Sequence, residues 1–267
     1  MAETKLQILS DLHLESPSAY DVFHVEAQAP YLALLGDIGY IKDDGFFHFL
    51  RKQLDSFQIV FLVLGNHEPY HTDWTEAKSK IERFKASVMP HECGEKLGQL
   101  VLLDKTRYDL SPTLSILGCT LFSRVIPEQE ESVSFGLNDF YFIGDWSIEA
   151  HCEAHRADLD WLNHEIKSIS LLEPERKIVV LTHYCPLTSD EVVNPLHNNS
   201  KISSGFMTDL SSEECWNRGA VRLWAFGHTH FNCDFRDAGN GIRVMSNQRG
   251  YYFSQATGFD CAKIVEI

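Results

Sequence analysis

Five short apolar runs, each followed by side chains that can bind a metal ion, constrain this sequence more than any other feature. The runs cover residues 5–10, 31–36, 59–65, 177–182 and 222–227. Continuous apolar runs of this length are typical of strands that are buried on both faces. The polar side chains that follow them are, in chain order, Asp11 and His13, Asp37, Asn66 and His67, His183, and His228 and His230.

The segments between these runs predict an α/β fold. Helices are expected at residues 45–57, at 74–88 before Pro90, and at 154–172, where Leu159, Leu162, Ile166 and Ile169 share one face. Further strands are expected at 101–103 and 114–120, then a hairpin of 231–236 with 242–246, and a last strand at 261–267. Residues 122–145 carry no clear pattern. No linker divides the chain, so we expect one domain over residues 1–267, built as a sandwich with mixed sheets.

The polar residues are expected to meet because ligands of α/β sheets collect beyond the carboxyl ends of the strands. The five strand ends would deliver carboxylate, imidazole and amide groups to one edge of a sheet. In an extended segment, residues i and i+2 point the same way, which would bring Asp11 beside His13 and His228 beside His230. Glycines at 36, 65 and 227 would let the backbone turn tightly there.

The residue types predict a binuclear metal site. Nitrogen and oxygen ligands without sulfur suit Mn, Fe or Zn better than Ca. Seven candidate ligands exceed the needs of one tetrahedral ion and fit two divalent ions that share a carboxylate, roughly 3.5–4 Å apart. They are Asp11, His13, Asp37, Asn66, His183, His228 and His230. Alone, the D-x-H and Gly-Asp motifs are weak, since Gly-Asp is common turn chemistry, and a single histidine such as His183 is usually structural. GNHE is moderately specific and GHTH is the strongest single motif, but the joint order of all five carries the prediction.

Composition limits the partners. The formal charge of −15 disfavours binding to nucleic-acid polymers. No apolar run approaches the roughly 20 residues that span a bilayer, and the first run is too short for a signal peptide. The seven cysteines form no CxxC pair, which favours reduced thiols. We therefore expect a cytoplasmic protein that binds no membrane; its oligomeric state stays open.

These motifs resemble the signature blocks of the calcineurin-like metallophosphoesterase superfamily. The matching blocks are Asp11-Leu12-His13, Gly36-Asp37, Gly65-Asn66-His67-Glu68, His183, and Gly227-His228-Thr229-His230. The resemblance implies a four-layer α/β/β/α sandwich of two mixed β-sheets flanked by helices. It also implies that Asp11, His13, Asp37 and His230 hold one metal ion. Asp37, Asn66, His183 and His228 would hold the other, so that Asp37 bridges them.

The same resemblance implies a mechanism. A hydroxide formed between the two metal ions would attack phosphorus in line with the leaving oxygen. His67, which is not part of the metal shells, would be the catalytic residue: it would stabilise the transition state and protonate the leaving oxygen. Asn66 and His67 would also contact the substrate.

Two positions differ from the motifs of well-known branches of this superfamily and so disfavour those branches. Ser/Thr protein phosphatases continue the second block as GDxxDRG, whose second Asp pairs with the catalytic histidine. Here the text is Gly36-Asp37-Ile38-Gly39-Tyr40, which disfavours that branch. Tyr40 gives the GDxxY string of purple acid phosphatases, but those have Gly where this chain has His13, so Tyr40 is expected to pack rather than bind metal. Glu68 is expected to fix its loop.

The substrate stays open at this stage. The leading hypothesis is a phosphodiesterase acting on a small-molecule or nucleotide phosphate ester, with a phosphomonoesterase as the alternative. A metal-binding scaffold of the same fold is the non-enzymatic alternative, disfavoured because every site residue is retained. Residues 185–218 could form a polar loop over the site, with a short helix near 207–216, or only a solvated connection. Its polar side chains are Asn194, His197, Asn198, Asn199, Lys201 and Ser203.

Overall fold

The computed structural model of the chain describes residues 4–88, 97–197 and 199–267, so Pro90, Cys93 and Asn198 lie outside the described residues. The strands are β1 (Lys5–Leu9), β2 (Tyr31–Leu35), β3 (Ile59–Val63), β4 (Gln99–Leu102), β5 (Thr106–Ser111), β6 (Leu114–Cys119), β7 (Lys177–Thr182), β8 (Val221–Phe226), β9 (Asp234–Arg236), β10 (Arg243–Ser246), β11 (Gly250–Tyr251), β12 (Ser254–Gln255) and β13 (Ile264–Glu266). The α-helices are α1 (Asp44–Ser56), α2 (Trp74–Ser87), α3 (Glu130–Gly136), α4 (Asp139–Phe142), α5 (Ile148–Leu172) and α6 (Glu214–Asn217).

Two mixed sheets form the centre of the fold. The first has the order β13-β1-β2-β3-β4, and the second has the order β5-β6-β7-β8-β10-β9. In each sheet the central strands run parallel, and antiparallel strands occupy the edges: β13 in the first, and β5 and β9 in the second. All five residues of β3 are buried, as expected for a strand covered on both faces.

Alternation along the strands divides the core into layers. Ile8, Phe61 and Val63 of the first sheet pack between the sheets, where they meet residues such as Val179 and Leu181 of the second. The alternate residues face outward, because successive side chains of a strand point to opposite faces. Leu34 and Leu62 thus pack in the layer of α1, while Val180 and Trp224 pack in that of α5. The expected four-layer α/β/β/α sandwich of two mixed sheets flanked by helices is confirmed.

Several predicted boundaries were wrong for local reasons. Helix α5 begins at Ile148 rather than Ala154, because the Ser147 hydroxyl accepts a hydrogen bond from the Ala150 amide (3.2 Å) and caps the helix. Strand β5 was missed because its side chains are only partly buried at a sheet edge. The short β11–β12 hairpin also lacked an apolar signal.

Two segments differ from their predicted form. The 122–145 segment contains α3 and α4, which the sequence did not reveal. The helix expected near 207–216 is limited to α6, because the Thr208 amide donates to the Cys185 carbonyl (3.1 Å) and keeps the chain extended there. The six cysteines within the described ranges carry free thiols. None of the helices in those ranges is long and apolar enough to cross a membrane.

The buried histidine of α5, His151, gives a testable pH dependence. Its Nε2 contacts the Ser123 amide and hydroxyl (3.1 and 2.9 Å), and burial lowers the pKa of His151 to about 3. An unfolded histidine has a pKa of about 6.5, so below that pH the unfolded chain binds a proton that the native chain does not. Above pH 6.5, His151 therefore does not lower the free energy of unfolding. As the pH falls below 6.5, protonation of the unfolded chain lowers that free energy progressively. Between pH 6.5 and 5.0 we expect about 2 kcal/mol more loss of unfolding free energy in wild type than in His151→Gln.

The measurement is urea unfolding at both pH values. His164→Gln is the matched control, because His164 is exposed on the same helix. An equal change in the free energy of unfolding between pH 6.5 and 5.0 for wild type and His151→Gln would contradict the lowered pKa of His151.

Candidate metal centre

The predicted site residues meet where the carboxyl ends of two sheets come together. The prediction of a single sheet edge was wrong: β1, β2 and β3 belong to the first sheet, whereas β7 and β8 belong to the second. Backbone hydrogen bonds tie the loops to one another. The Asp11 amide donates to the Gly36 carbonyl (3.0 Å), and the Gly227 amide donates to the His183 carbonyl (2.8 Å).

The backbone of the site is left-handed at five positions. Asp11, His13, Asp37, His228 and His230 have φ between 45° and 71°. Asp11 and His13 therefore do not converge by extended i, i+2 alternation, and neither do His228 and His230, so that reason was wrong. Non-glycine residues at positive φ are uncommon and cluster at functional sites, which marks these loops as specialised.

The backbone at Gly36 and at Gly65 leaves no room for a Cβ atom. Gly36 has φ +87°, and a Cβ there would lie 2.5 Å from His183 Nδ1. A Cβ on Gly65 would collide with Asp37 Oδ1 and lie 2.7 Å from His183 Cε1. Both residues thus let the carboxylate and the imidazole approach the backbone closely.

One cluster contains Asp11, His13 and His230, whose potential ligand atoms lie within 4.8 Å of one another. His230 Nε2 is 3.3 Å from Asp11 Oδ1 and 3.0 Å from His13 Nε2. Two imidazole nitrogens bound tetrahedrally to one zinc ion would lie about 3.3 Å apart. The separation of these donors therefore matches what a shared ion requires.

A second cluster contains Asp37, His183 and His228. His183 Nε2 lies 3.1 Å from His228 Nδ1, 3.1 Å from Asn66 Oδ1 and 3.6 Å from Asp37 Oδ1. The other oxygen of Asp37, Oδ2, lies 3.8 Å from His13 Nε2 in the first cluster. Asp37 thus stands between the two groups.

The protonation states suit a cation. The Leu35 carbonyl can only accept, so the 2.8 Å contact places a proton on His183 Nδ1 and leaves the Nε2 lone pair facing the site. Burial lowers the pKa of His183 and His228, and it lowers that of His13 to about 4. These imidazoles are therefore neutral near pH 7, as metal ligands must be.

Burial acts on the pKa values of the carboxylates in the opposite direction. Burial raises the pKa of Asp37, and the nearby charges of Glu68 and Asp11 raise it further. A divalent cation would offset this concentration of buried negative charge. Burial would also raise the pKa of Asp11, but its hydrogen bond with His230 lowers it below the usual range.

Glu68 fixes the loops around Asp37, as expected from the sequence. Its carboxylate accepts hydrogen bonds from the amides of Asp37 (3.0 Å), Ile38 (2.8 Å) and Gly65 (2.7 Å). Burial raises the pKa of Glu68 to about 7 despite these three donors. The side chain thereby joins the loops that follow β2 and β3.

His67 lies beside both clusters. Its backbone amide donates to Asp37 Oδ1 (2.8 Å), and its Nε2 is 4.0 Å from Asp37 Oδ2. Burial disfavours its charged form, but the charge of Asp37 and the hydrogen bond to Glu15 raise the pKa of His67 to about 9. Tyr40 stacks its ring on His67 with a centroid distance of 6.2 Å, consistent with the packing role predicted for it.

Asn66 is oriented by a residue that sequence reasoning missed. Asp139 on α4 accepts from Asn66 Nδ2 (2.7 Å) and from the Tyr70 hydroxyl (2.6 Å). Because Nδ2 is held there, Oδ1 of Asn66 faces His183. No motif pointed to Asp139, since it lies in the unassigned 122–145 segment. Glu15 was also missed, although it follows His13 by only two residues in the sequence.

A cavity of about 340 Å³ opens from the two clusters. Asp37, Asn66, His67, His228 and His230 line its floor. Its far side comes from the start of α4 and from residues 192–207, including the predicted Asn194, His197 and Ser203. Apolar side chains share this wall, namely Leu137, Val192, Val193, Ile202, Phe206 and Met207. Residues 192–207 therefore form one wall of the cavity, and this wall is less polar than the loop predicted for 185–218.

The sequence matches the calcineurin-like phosphoesterases over residues 4–232. The chain belongs to the calcineurin-like phosphoesterase family. An uncharacterised protein of Acanthamoeba polyphaga mimivirus is 29% identical over 269 residues, which cover 92% of this chain and 91% of that protein.

Solved structures share the fold of this family member. The phosphopantetheinyl hydrolase of Mycobacterium tuberculosis superimposes with a TM-score of 0.65 at 14% identity, covering 100% of this chain and 96% of its own. A dimetal phosphatase from Danio rerio gives a TM-score of 0.52 at 13% identity, covering 91% and 86%. Membership of the family makes the chain a phosphoric ester hydrolase that depends on a binuclear divalent metal site.

Proposed function

We propose that the two clusters hold the two metal ions of a phosphodiesterase acting on a small-molecule or nucleotide ester. The first ion would be held by Asp11, His13, Asp37 and His230, and the second by Asp37, Asn66, His183 and His228. The observation that carries this proposal is the position of Asp37, whose two oxygens face different clusters. Nitrogen-rich ligand sets of this kind favour Mn, Fe or Zn.

Two divalent ions at this site would acidify a water molecule and withdraw charge from the phosphoryl oxygens. The chain's own residues would do the rest. His67 lies on the cavity floor, where it would hydrogen-bond a phosphoryl oxygen and pass a proton to the leaving oxygen. Asn66 would contact the same phosphate, held in orientation by Asp139. Buried side chains that are fixed before substrate arrives need no reorganisation during the reaction.

The residues that line the cavity support a substrate whose ester group carries an uncharged organic substituent. Among the described residues that line it, none is Lys or Arg, so a second phosphate would lack a cationic partner. Apolar, amide and hydroxyl groups instead favour a neutral group of moderate size. Phe206 and Tyr251 line the same cavity and offer aromatic faces for a base or an aryl ring.

Ile202 tests the role of this wall. We expect Ile202→Ala to raise KM for bis-p-nitrophenyl phosphate about tenfold, because the shortened side chain no longer covers the aryl group that stays on the phosphate. KM for methyl p-nitrophenyl phosphate should change little. Leu196→Ala is the matched control, since Leu196 belongs to the same segment but is 88% exposed and lies outside the wall. Equal effects of Ile202→Ala on both esters would contradict this role.

The activity itself is tested on metal-stripped protein to which Mn, Zn, Fe or Ni is added. We expect hydrolysis of bis-p-nitrophenyl phosphate with a higher kcat/KM than that of p-nitrophenyl phosphate. The opposite ratio would identify a phosphomonoesterase. Absence of hydrolysis of both esters with every metal would contradict the proposed catalytic function. A cytoplasmic location is part of the same proposal, supported by the six free thiols.

A further inference from the structure

Glu15 is a buried carboxylate that links two histidines of the site. Its side chain is 1% exposed, and its Oε1 lies 3.0 Å from His13 Nδ1 and 3.0 Å from His67 Nδ1. The two histidines come from different loops, after β1 and after β3. The other oxygen, Oε2, is buried and has no hydrogen-bond partner among the described residues. Among the described residues, the hydrogen-bond partners of this carboxylate are therefore the two imidazoles.

A carboxylate beside His67 is not expected from the block that follows β2. Tyr40 stands where the protein phosphatase motif has the Asp that pairs with its histidine, and it meets His67 only through ring stacking. Glu15 reaches His67 Nδ1 from the loop after β1 instead. The carboxylate partner of His67 therefore comes from the loop after β1 rather than from the loop after β2.

We propose that Glu15 is the positioning residue of His67. An ionised carboxylate only accepts hydrogen bonds, so Glu15 places a proton on Nδ1 of both histidines. For His67 this fixes the ring so that Nε2 faces the cavity, 3.3 Å from the Tyr251 hydroxyl and 4.0 Å from Asp37 Oδ2. For His13 the same bond turns Nε2 toward His230. The inference rests on the proposed function, in which His67 donates a proton to the leaving oxygen.

The test uses Glu15→Gln, which keeps the shape of the side chain but removes its charge. Assays are made at saturating metal, and the metal content is measured. The reason is that His13 also loses its charged hydrogen-bond partner, which can lower metal affinity 10–100-fold. At full loading we expect kcat to fall roughly 100-fold for a methyl phenyl phosphate diester, whose leaving group needs a proton. For the methyl p-nitrophenyl diester, whose leaving group departs as a stable anion, the loss should be severalfold. A purely structural defect would lower both rates equally.

A double-mutant cycle assigns the effect to His67. In a His67→Ala background, Glu15→Gln should cause no further loss of kcat, because the residue being positioned is gone. Tyr40→Phe is the matched control, since Tyr40 contacts His67 by packing alone, and it should leave the leaving-group dependence unchanged. Additive losses from Glu15→Gln and His67→Ala, or equal losses on the two esters, would overturn the proposal.

A second readout is independent of activity. In metal-free wild-type protein, nitrogen-15 NMR should show His67 protonated at Nδ1 with a slowly exchanging proton, and this proton should exchange faster in Glu15→Gln, whose neutral amide oxygen is a weaker acceptor than a carboxylate. A proton absent from His67 Nδ1 in the wild type would overturn the proposal even if the variant failed to fold. If the protein hydrolysed no ester, the NMR result would still test Glu15, so the two failures are distinguishable.

Discussion

Replacing Asp37 with Asn should abolish the binding of both metal ions and lower kcat at least about 1000-fold. Asparagine has nearly the same shape, so the change removes a charge rather than volume. Asp37 Oδ1 and Oδ2 lie 3.6 and 3.8 Å from histidine nitrogens of the two clusters, which makes its charge common to both. The measurement is metal content per chain by mass spectrometry, together with the rate of ester hydrolysis.

Stability provides a further contrast for the same variant. Burial and the charges of Glu68 and Asp11 raise the pKa of Asp37, so the metal-free Asp37→Asn protein should be no less stable than metal-free wild type. Asp44→Asn is the matched control, since Asp44 is exposed at the start of α1 and should leave metal content unchanged. Full occupancy in Asp37→Asn would refute the bridging role.

Replacing His67 with Ala should have the opposite signature. Metal content should stay within experimental error of wild type, because His67 belongs to neither of the two proposed clusters; among the described residues its ring nitrogen lies close enough to share an ion only with His13 and Glu15. Turnover should fall by about 100-fold to 10,000-fold, the range that a positioned proton donor contributes. KM should change far less than kcat, since proton transfer belongs to the transition state.

His71 supplies the control for His67. It is exposed four residues along the same loop, lies outside the residues that line the cavity, and contacts Tyr40 and Phe142. His71→Ala should therefore keep wild-type turnover. Equal activity of His67→Ala and wild type would remove His67 from the mechanism, whereas loss of metal in that variant would reassign it to a cluster.

The strands that carry the site could be read from the sequence because they are buried on both faces. A strand such as β3 must then be a continuous apolar run, and the polar residues after it are conspicuous. The same reasoning failed for β5, whose side chains are partly exposed at a sheet edge and follow no apolar pattern. Burial, rather than strand formation itself, was what the sequence revealed.

The sequence predicted which residues belong to the site better than it predicted how they are arranged. Asp11 and His230 were expected from their motifs, but their positive φ angles depend on loop contacts between two sheets. Glu15 and Asp139 carry no motif: each acts through a histidine or an asparagine placed by a different loop. Pairings between residues as distant as Asn66 and Asp139 exist only after the sheets and α4 have packed.

The central claim is that one site holds two metal ions on either side of Asp37. Anomalous diffraction from crystals of the manganese-loaded protein tests it most directly. We expect two peaks roughly 3.5–4 Å apart, one beside His13 and His230 and the other beside His183 and His228, with the Asp37 carboxylate between them. A single peak, or two peaks that do not share Asp37, would contradict this assignment.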